Sequence, residues 1–158
     1  MAGLEPRSEI LSDEQTTKRC ATRPGRYYPE MDWTKLETFS FGDSSQLADE
    51  LLALVLEGRK RATCWAVDEG MKGVEVGKCM VALNRAGRPR AVVQTVELAQ
   101  RRFDEVDAAF AFDEGEGDRS LASWREAHRS YFKRLNLYQP DMMLWCERFT
   151  VCSTIPLE

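Results

Sequence analysis

The sequence predicts one α+β domain with a strongly bent sheet or small barrel at its core. Two segments carry apolar residues at helical spacing, at least four carry the residue types of strands, and the connections are short. The length of 158 residues suits a single domain whose core holds without metal or disulfide support.

The elements follow in order. Residues 1–35 read as a poorly structured N-terminal tail or arm, with six basic and six acidic residues and a turn-rich TRPGRYYPE segment. Tyr27, Tyr28 and Trp33 are the side chains that would dock it on the domain, which spans 36–158. Asp43, with Gln46 three residues on, reads as the N-cap of a first helix. Leu47, Leu51, Leu54 and Val55 form its apolar stripe, and Gly58 ends it. Segments 61–67 (RATCWAV), 77–83 (GKCMVAL) and 90–98 (RAVVQTVEL) read as strands, the last two joined as a hairpin through NRAGRP. A second helix starts at Asp118 or Ser120 and aligns Leu121, Trp124, His128, Tyr131 and Leu135 on one face. A last strand, DMMLWCERFTV, follows Pro140.

Composition narrows the function. Lys and Arg total 22 against 26 Asp and Glu, a net charge of −4, which argues against coating nucleic acid or an anionic membrane by bulk charge. A local basic groove stays compatible with that sum. No run approaches the roughly 18 apolar residues of a membrane span. The N-terminus lacks a signal-peptide core, so a cytoplasmic, membrane-free protein is expected. Cys20, Cys64, Cys79, Cys146 and Cys152 form no CxxC pair and read as free core thiols in a reducing compartment. His128 is the only histidine, which excludes His-rich zinc enzymes, zinc fingers and HExxH proteases. Walker, GxGxxG and GxSxG patterns are absent as well, so neither a metal nor a cofactor is expected.

Three segments carry candidate chemistry. In GRKRATCW, Arg59, Lys60 and Arg61 pass from a helix C-terminus into a strand that also holds Thr63 and Trp65. Cations suit the negative end of a helix dipole, but three exceed that need. Cations for phosphate, a hydroxyl for a base or sugar and an indole for stacking make a compact nucleotide-binding set. Lys60 and Thr63 are an odd number apart, so their convergence requires a turn or bulge at Arg61 or Ala62. The second segment, 104–118, has seven acidic residues and no basic one. It fails the EF-hand spacing and reads as a solvated acidic turn, with one carboxylate turned to the cations. The third is the Trp124, Arg125, His128, Tyr131 stripe, read as core with a half-buried histidine. Arg125 and Arg129, one turn apart beside it, are within reach of phosphate.

GRKRATCW after an amphipathic helix, VEVGKCMVALNRAGRPRAVVQTVEL, FDEVDAAFAFDEGEGDRSLASWREAHRSYF and DMMLWCERFTV together resemble the bacterial type of ASCH domain, of the PUA-like superfamily, over about residues 37–152. The resemblance implies a small β-barrel flanked by helices, with a cleft between them that takes RNA or a modified nucleobase. It implies metal-independent ribonuclease activity on single-stranded RNA as the leading function. The alternatives are an amidohydrolase that deacetylates acetylated cytidine and a non-catalytic module that binds RNA or a nucleotide. Lys60 and Thr63 match the family's lysine and threonine, and its glutamate falls in DEGEGD, where Glu114 matches best and Glu116 is the other choice. Lys60, Thr63 and Glu114 are then the catalytic set. Arg59, Arg61 and Arg125 address phosphate, while Trp65 and Tyr131 offer surfaces to a base. No obligate protein partner is expected. A Lys60 depressed by Arg59, Arg61 and burial would deprotonate Thr63 for acyl chemistry; one held charged by a carboxylate would stabilise a phosphorane.

Overall fold

Ser44 starts the first helix, α1 (Ser45–Leu56): its side chain accepts a hydrogen bond from the Leu47 amide at 3.2 Å. The cap thus lies one residue beyond Asp43, whose carboxylate instead pairs with Arg134 at 3.6 Å. Gly58, at φ +74°, turns the chain out of the helix, and the Leu54 carbonyl accepts from the amides of Arg59 and Lys60. Ser44→Ala is expected to cost about 1 kcal/mol in a urea titration, with a smaller change for Asp43→Ala. Equal losses at the two positions would refute this placement of the cap.

The computed structural model describes residues 31–157. Five strands follow the order β1-β3-β4-β5-β2: β1 (Thr38–Phe39), β2 (Ala62–Ala66), β3 (Cys79–Leu83), β4 (Pro89–Arg102) and β5 (Met143–Thr154). The β1–β3 pair is parallel and the others are antiparallel. The sheet does not close, which corrects the expected barrel. The outer side of the β2 segment meets a helix instead of a strand: the Arg61 amide donates to the Asp113 carbonyl at 2.7 Å. Register shifts at Val92/Val93 and between Thr95 and Glu97 interrupt the β4–β5 ladder, as bulges that bend a strand do.

That helix, α2 (Ala108–Glu114), occupies part of the acidic run expected as a solvated turn. Asp107 caps it, accepting from the Phe110 amide at 2.8 Å, and Phe110, Ala111 and Glu114 are buried. The last helix, α3 (Leu121–Arg134), is capped by Ser120, while Asp118 accepts from the Ser120 amide. Its buried residues are Trp124 and Phe132; Leu135, expected on the apolar face, lies at the exposed C-cap.

The sheet carries several separate cores. On one, α1 packs Leu51, Leu52 and Val55 with Phe41, Val93 and Phe149. On another, α2 and α3 pack Phe110, Trp124 and Phe132 over Ala62, Ala66, Leu144 and Cys146. A third joins Cys79, Val81 and Val92 with Met31, Trp33 and Leu36. Trp33 therefore docks on the domain as expected, whereas Tyr27 and Tyr28 lie outside the described residues. Among the described residues the four cysteines are free thiols, and no helix is long and apolar enough to cross a membrane.

Candidate functional site

The segment between α1 and β2 is clasped to the end of α2. The Arg59 guanidinium donates to the carbonyls of Gly115 and Gly117, and Arg119 donates back to the Arg59 carbonyl at 3.2 Å. Gly115, at φ +73°, lets the two backbones touch: a Cβ there would lie 2.3 Å from the Arg59 carbonyl oxygen. The clasp drives the Lys60 side chain inward. Its ammonium lies 2.8 Å from Glu116 Oε1 and 3.5 Å from Glu114 Oε2, and Lys60 and Glu114 are each only 1% exposed. Both acidic candidates from DEGEGD thus reach Lys60, Glu116 more closely and Glu114 more deeply.

Glu114 also receives the ring of His128, whose Nε2 lies 3.2 Å from Oε2. Nδ1 of that ring faces the Trp124 carbonyl at 2.9 Å. A carbonyl and an ionised carboxylate only accept, so both ring nitrogens carry hydrogen and His128 is an imidazolium. The ring stacks on Trp124 at 4.2 Å between centroids. Burial alone would push the Glu114 carboxyl up, but the charges of His128 and Lys60 outweigh it and hold the group well below the usual carboxylate range. Burial opposes the charged forms of Lys60 and His128 in turn, and the facing carboxylates still hold both above their ordinary values. The Cys64 thiol lies against the same carboxylate; burial first, and then the Glu114 charge, push it well up. Sulfur, carboxylate and imidazole donors of Cys64, Glu114 and His128 all lie within 4.8 Å of one another.

These groups border a cavity of about 440 Å³ between the sheet, α1 and α3. Phe41, Trp65 and Tyr131 supply aromatic wall, and Thr63, Thr95, Glu114, Glu116 and Glu147 supply polar wall. Glu147 stands opposite Thr63 in the β2–β5 register, is buried, and accepts from the Thr95 hydroxyl at 2.6 Å. Burial pushes its carboxyl above the ordinary value.

The sequence candidates separate into three groups. Lys60 and Glu114 meet in the buried cluster, although Lys60 stands behind the cavity wall. Thr63, Trp65 and Tyr131 line the cavity, with the Trp65 indole donating to the Gly70 carbonyl at 2.8 Å. Thr63 makes no hydrogen bond to Lys60 or Glu114; Cys64, its neighbour in β2, is the residue whose side chain lies beside Glu114. The third group is absent from the cavity. Arg59 is spent on loop carbonyls, Arg61 is exposed and donates to the Gly58 carbonyl, and Arg125 points to the Asp104 carbonyl at 3.5 Å. The cations that do line the cavity, Lys72 and Arg134, escaped the sequence reading, as did Cys64 and His128 as site residues.

The sequence pattern of the ASCH domain matches residues 37–153. This chain belongs to the ASCH domain family. A crystallised ASCH domain from Lactobacillus crispatus JV V101 is 33% identical, with a TM-score of 0.67 over 76% of this chain and 81% of that one. A crystallised protein from Enterococcus faecalis V583 is 30% identical, with a TM-score of 0.67 over 78% of this chain and 84% of that one. Among curated proteins none matches significantly. The ASCH domain is a PUA-like fold of a kind generally linked to RNA binding, and this member carries the fold as an open five-stranded sheet.

Proposed function

We propose that this ASCH domain binds single-stranded RNA, or a nucleotide, by taking one base into the cavity. The observation that carries the reading is the lining: aromatic walls at Phe41, Trp65 and Tyr131 around polar groups at Thr63, Thr95 and Glu147. A volume of about 440 Å³ fits a small-molecule pocket. Aromatic faces stack on any base, and buried carboxyl groups accept from amino and ring N–H groups. Backbone phosphate then falls to Lys72 and Arg134 at the same cavity, in place of Arg59, Arg61 and Arg125.

Titrating short single-stranded RNA against tryptophan fluorescence tests this. Tyr131→Ala should weaken binding by about 1–3 kcal/mol, the usual loss of one stacking surface. With two cations on the backbone, affinity should fall with salt at a logarithmic slope of about −1.4. Unchanged affinity in Tyr131→Ala, or a slope several times steeper, would overturn base insertion.

For chemistry, the site supports a charged Lys60 over a basic one, since two carboxylates hold its proton. That favours metal-independent RNA cleavage, with Lys60 opposing phosphorane charge, over deprotonation of Thr63 by Lys60. Glu116, 30% exposed, covers that ammonium at 2.8 Å, so this reading requires Glu116 to give way before a phosphate meets it. Labelled RNA incubated with the protein in EDTA should be cut, and Lys60→Ala should abolish cutting. Intact RNA removes the ribonuclease step and leaves a binding module. The amidohydrolase alternative rests on Thr63 facing the cavity; it requires acetate release from acetylated cytidine that is lost in Thr63→Ala.

A further inference from the structure

We propose that Cys64, Glu114 and His128 form a binding site for one zinc-class divalent cation, with its fourth coordination position open to the cavity. The inference is independent of whether a base enters that cavity. The donor set comes first: one thiol, one carboxylate and one imidazole, all within 4.8 Å of one another and all bordering the cavity. Tetrahedral bonds of about 2.0–2.3 Å place ligand atoms about 3.3–3.8 Å apart. His128 Nε2 already stands 3.2 Å from the other oxygen of that carboxylate, Oε2, and the three donors lie within 4.8 Å, so turning Oε1 toward the ring and moving the side chains by on the order of 1 Å closes the set on an ion.

The orientation of each donor is the second argument. The His128 ring is aimed by its Nδ1 contact to the Trp124 carbonyl and by stacking on Trp124, which leaves Nε2 facing the site. Metal-binding histidines are commonly held this way, through a backbone carbonyl on the other nitrogen. Glu114 Oε2 is occupied by Lys60 and His128, while Oε1 is buried with no hydrogen-bond partner. A cation on Oε1 would satisfy an atom that the fold otherwise leaves costly, and Lys60 would keep its hold on Oε2.

Charge is the third. Lys60 has Glu116 as its nearer counter-ion, at 2.8 Å. The remaining group, a Glu114 carboxylate, a His128 imidazolium and a Cys64 thiol, sums to zero. When a divalent cation enters, Nε2 and Sγ each release one proton to solvent, and three bonds form to the metal from Nε2, Sγ and Oε1. The group again sums to zero, so the ion enters a buried site without leaving net charge there. The mixed sulfur, nitrogen and oxygen set selects zinc or cobalt and disfavours magnesium and calcium, which take oxygen ligands. Three protein ligands beside a cavity leave one position for water or a ligand atom. A single histidine excludes centres built on two or three histidines; it does not exclude this mixed one.

Cobalt titration of the full-length protein, stripped with EDTA and free of nucleotide, tests the site. One equivalent of Co²⁺ should bind and give a sulfur-to-cobalt charge-transfer band together with the visible absorption of four-coordinate cobalt. Zn²⁺ should displace it and Mg²⁺ should not. Cys64→Ser should abolish the charge-transfer band, and His128→Gln should weaken zinc binding at least tenfold, with circular dichroism verifying that both variants fold. Absence of the band in folded wild-type protein overturns the proposal. So does an undiminished band in Cys64→Ser. Because no nucleotide is present, either failure leaves the base-binding reading untouched.

Discussion

Glu114→Ala is expected to destabilise the domain by about 3–5 kcal/mol, the cost of breaking a buried charge pair from one side. The substitution leaves the ammonium of Lys60, 1% exposed, with Glu116 as its remaining carboxylate partner, and leaves the His128 imidazolium with none at Nε2. Glu114→Gln separates charge from shape, because it fills the same space without the negative charge, and it should lose most of the same stability. The pH sign follows from the depressed Glu114 carboxyl. Its contribution is present above the unfolded value of about 4.3 and is lost as pH falls toward the folded one. Urea midpoints at neutral pH check the magnitude. A loss below about 1 kcal/mol for both variants would mean that Glu114 does not anchor the cluster.

Gly115→Ala should be comparably damaging, for steric reasons. The added Cβ would stand 2.3 Å from the Arg59 carbonyl oxygen, 2.6 Å from its carbon and 2.9 Å from Lys60 Cα, all backbone atoms. Holding a non-glycine residue at φ +73° costs about 1–3 kcal/mol, and forcing apart packed backbone costs about as much again. Gly58, at φ +74° with nothing within 4 Å of its virtual Cβ, is the internal control: Gly58→Ala should cost only about 1 kcal/mol. Similar urea midpoints for the two variants would show that the Arg59–Lys60 backbone yields freely.

The sequence carried α1, α3 and four of the five strands through apolar periodicity and turn residues, with β4 running four residues past its expected end. It concealed α2 because seven residues make only two turns, and one of its inward positions is Glu114. A buried acid looks like a solvated one when only composition is visible. The meeting of Lys60 with the DEGEGD acids followed from the family resemblance, beside a run of three cations that exceeds the need of a helix dipole. The odd spacing of Lys60 and Thr63 set a condition on their convergence, and the two side chains part: Lys60 reaches Glu114 and Glu116, while Thr63 lines the cavity. Alternation within β2 does hold, and Ala62, Cys64 and Ala66 mark the face covered by α2 and α3. That alternation places Cys64 on the covered face, and only the position of α2 brings Glu114 against it. Nothing local in the sequence showed that Arg59 would be taken up by the carbonyls of Gly115 and Gly117.

The clasp between 59–61 and 113–119 joins stretches more than fifty residues apart in the chain, with arginine side chains donating to main-chain carbonyls and one main-chain bond from Arg61 to Asp113. Its acceptors are backbone carbonyls, which any residue supplies, whereas its donors rest on Arg59 and Arg119, the two outward positions that cannot be exchanged without opening it. The same arrangement makes assembly of the cluster a late event on the folding route, because the two stretches must first be brought together across the loop-closure cost of everything between them. Until that closure, Lys60 and Glu114 remain hydrated. The contact that brings the two stretches together is thus also the one that takes Lys60 and Glu114 out of water.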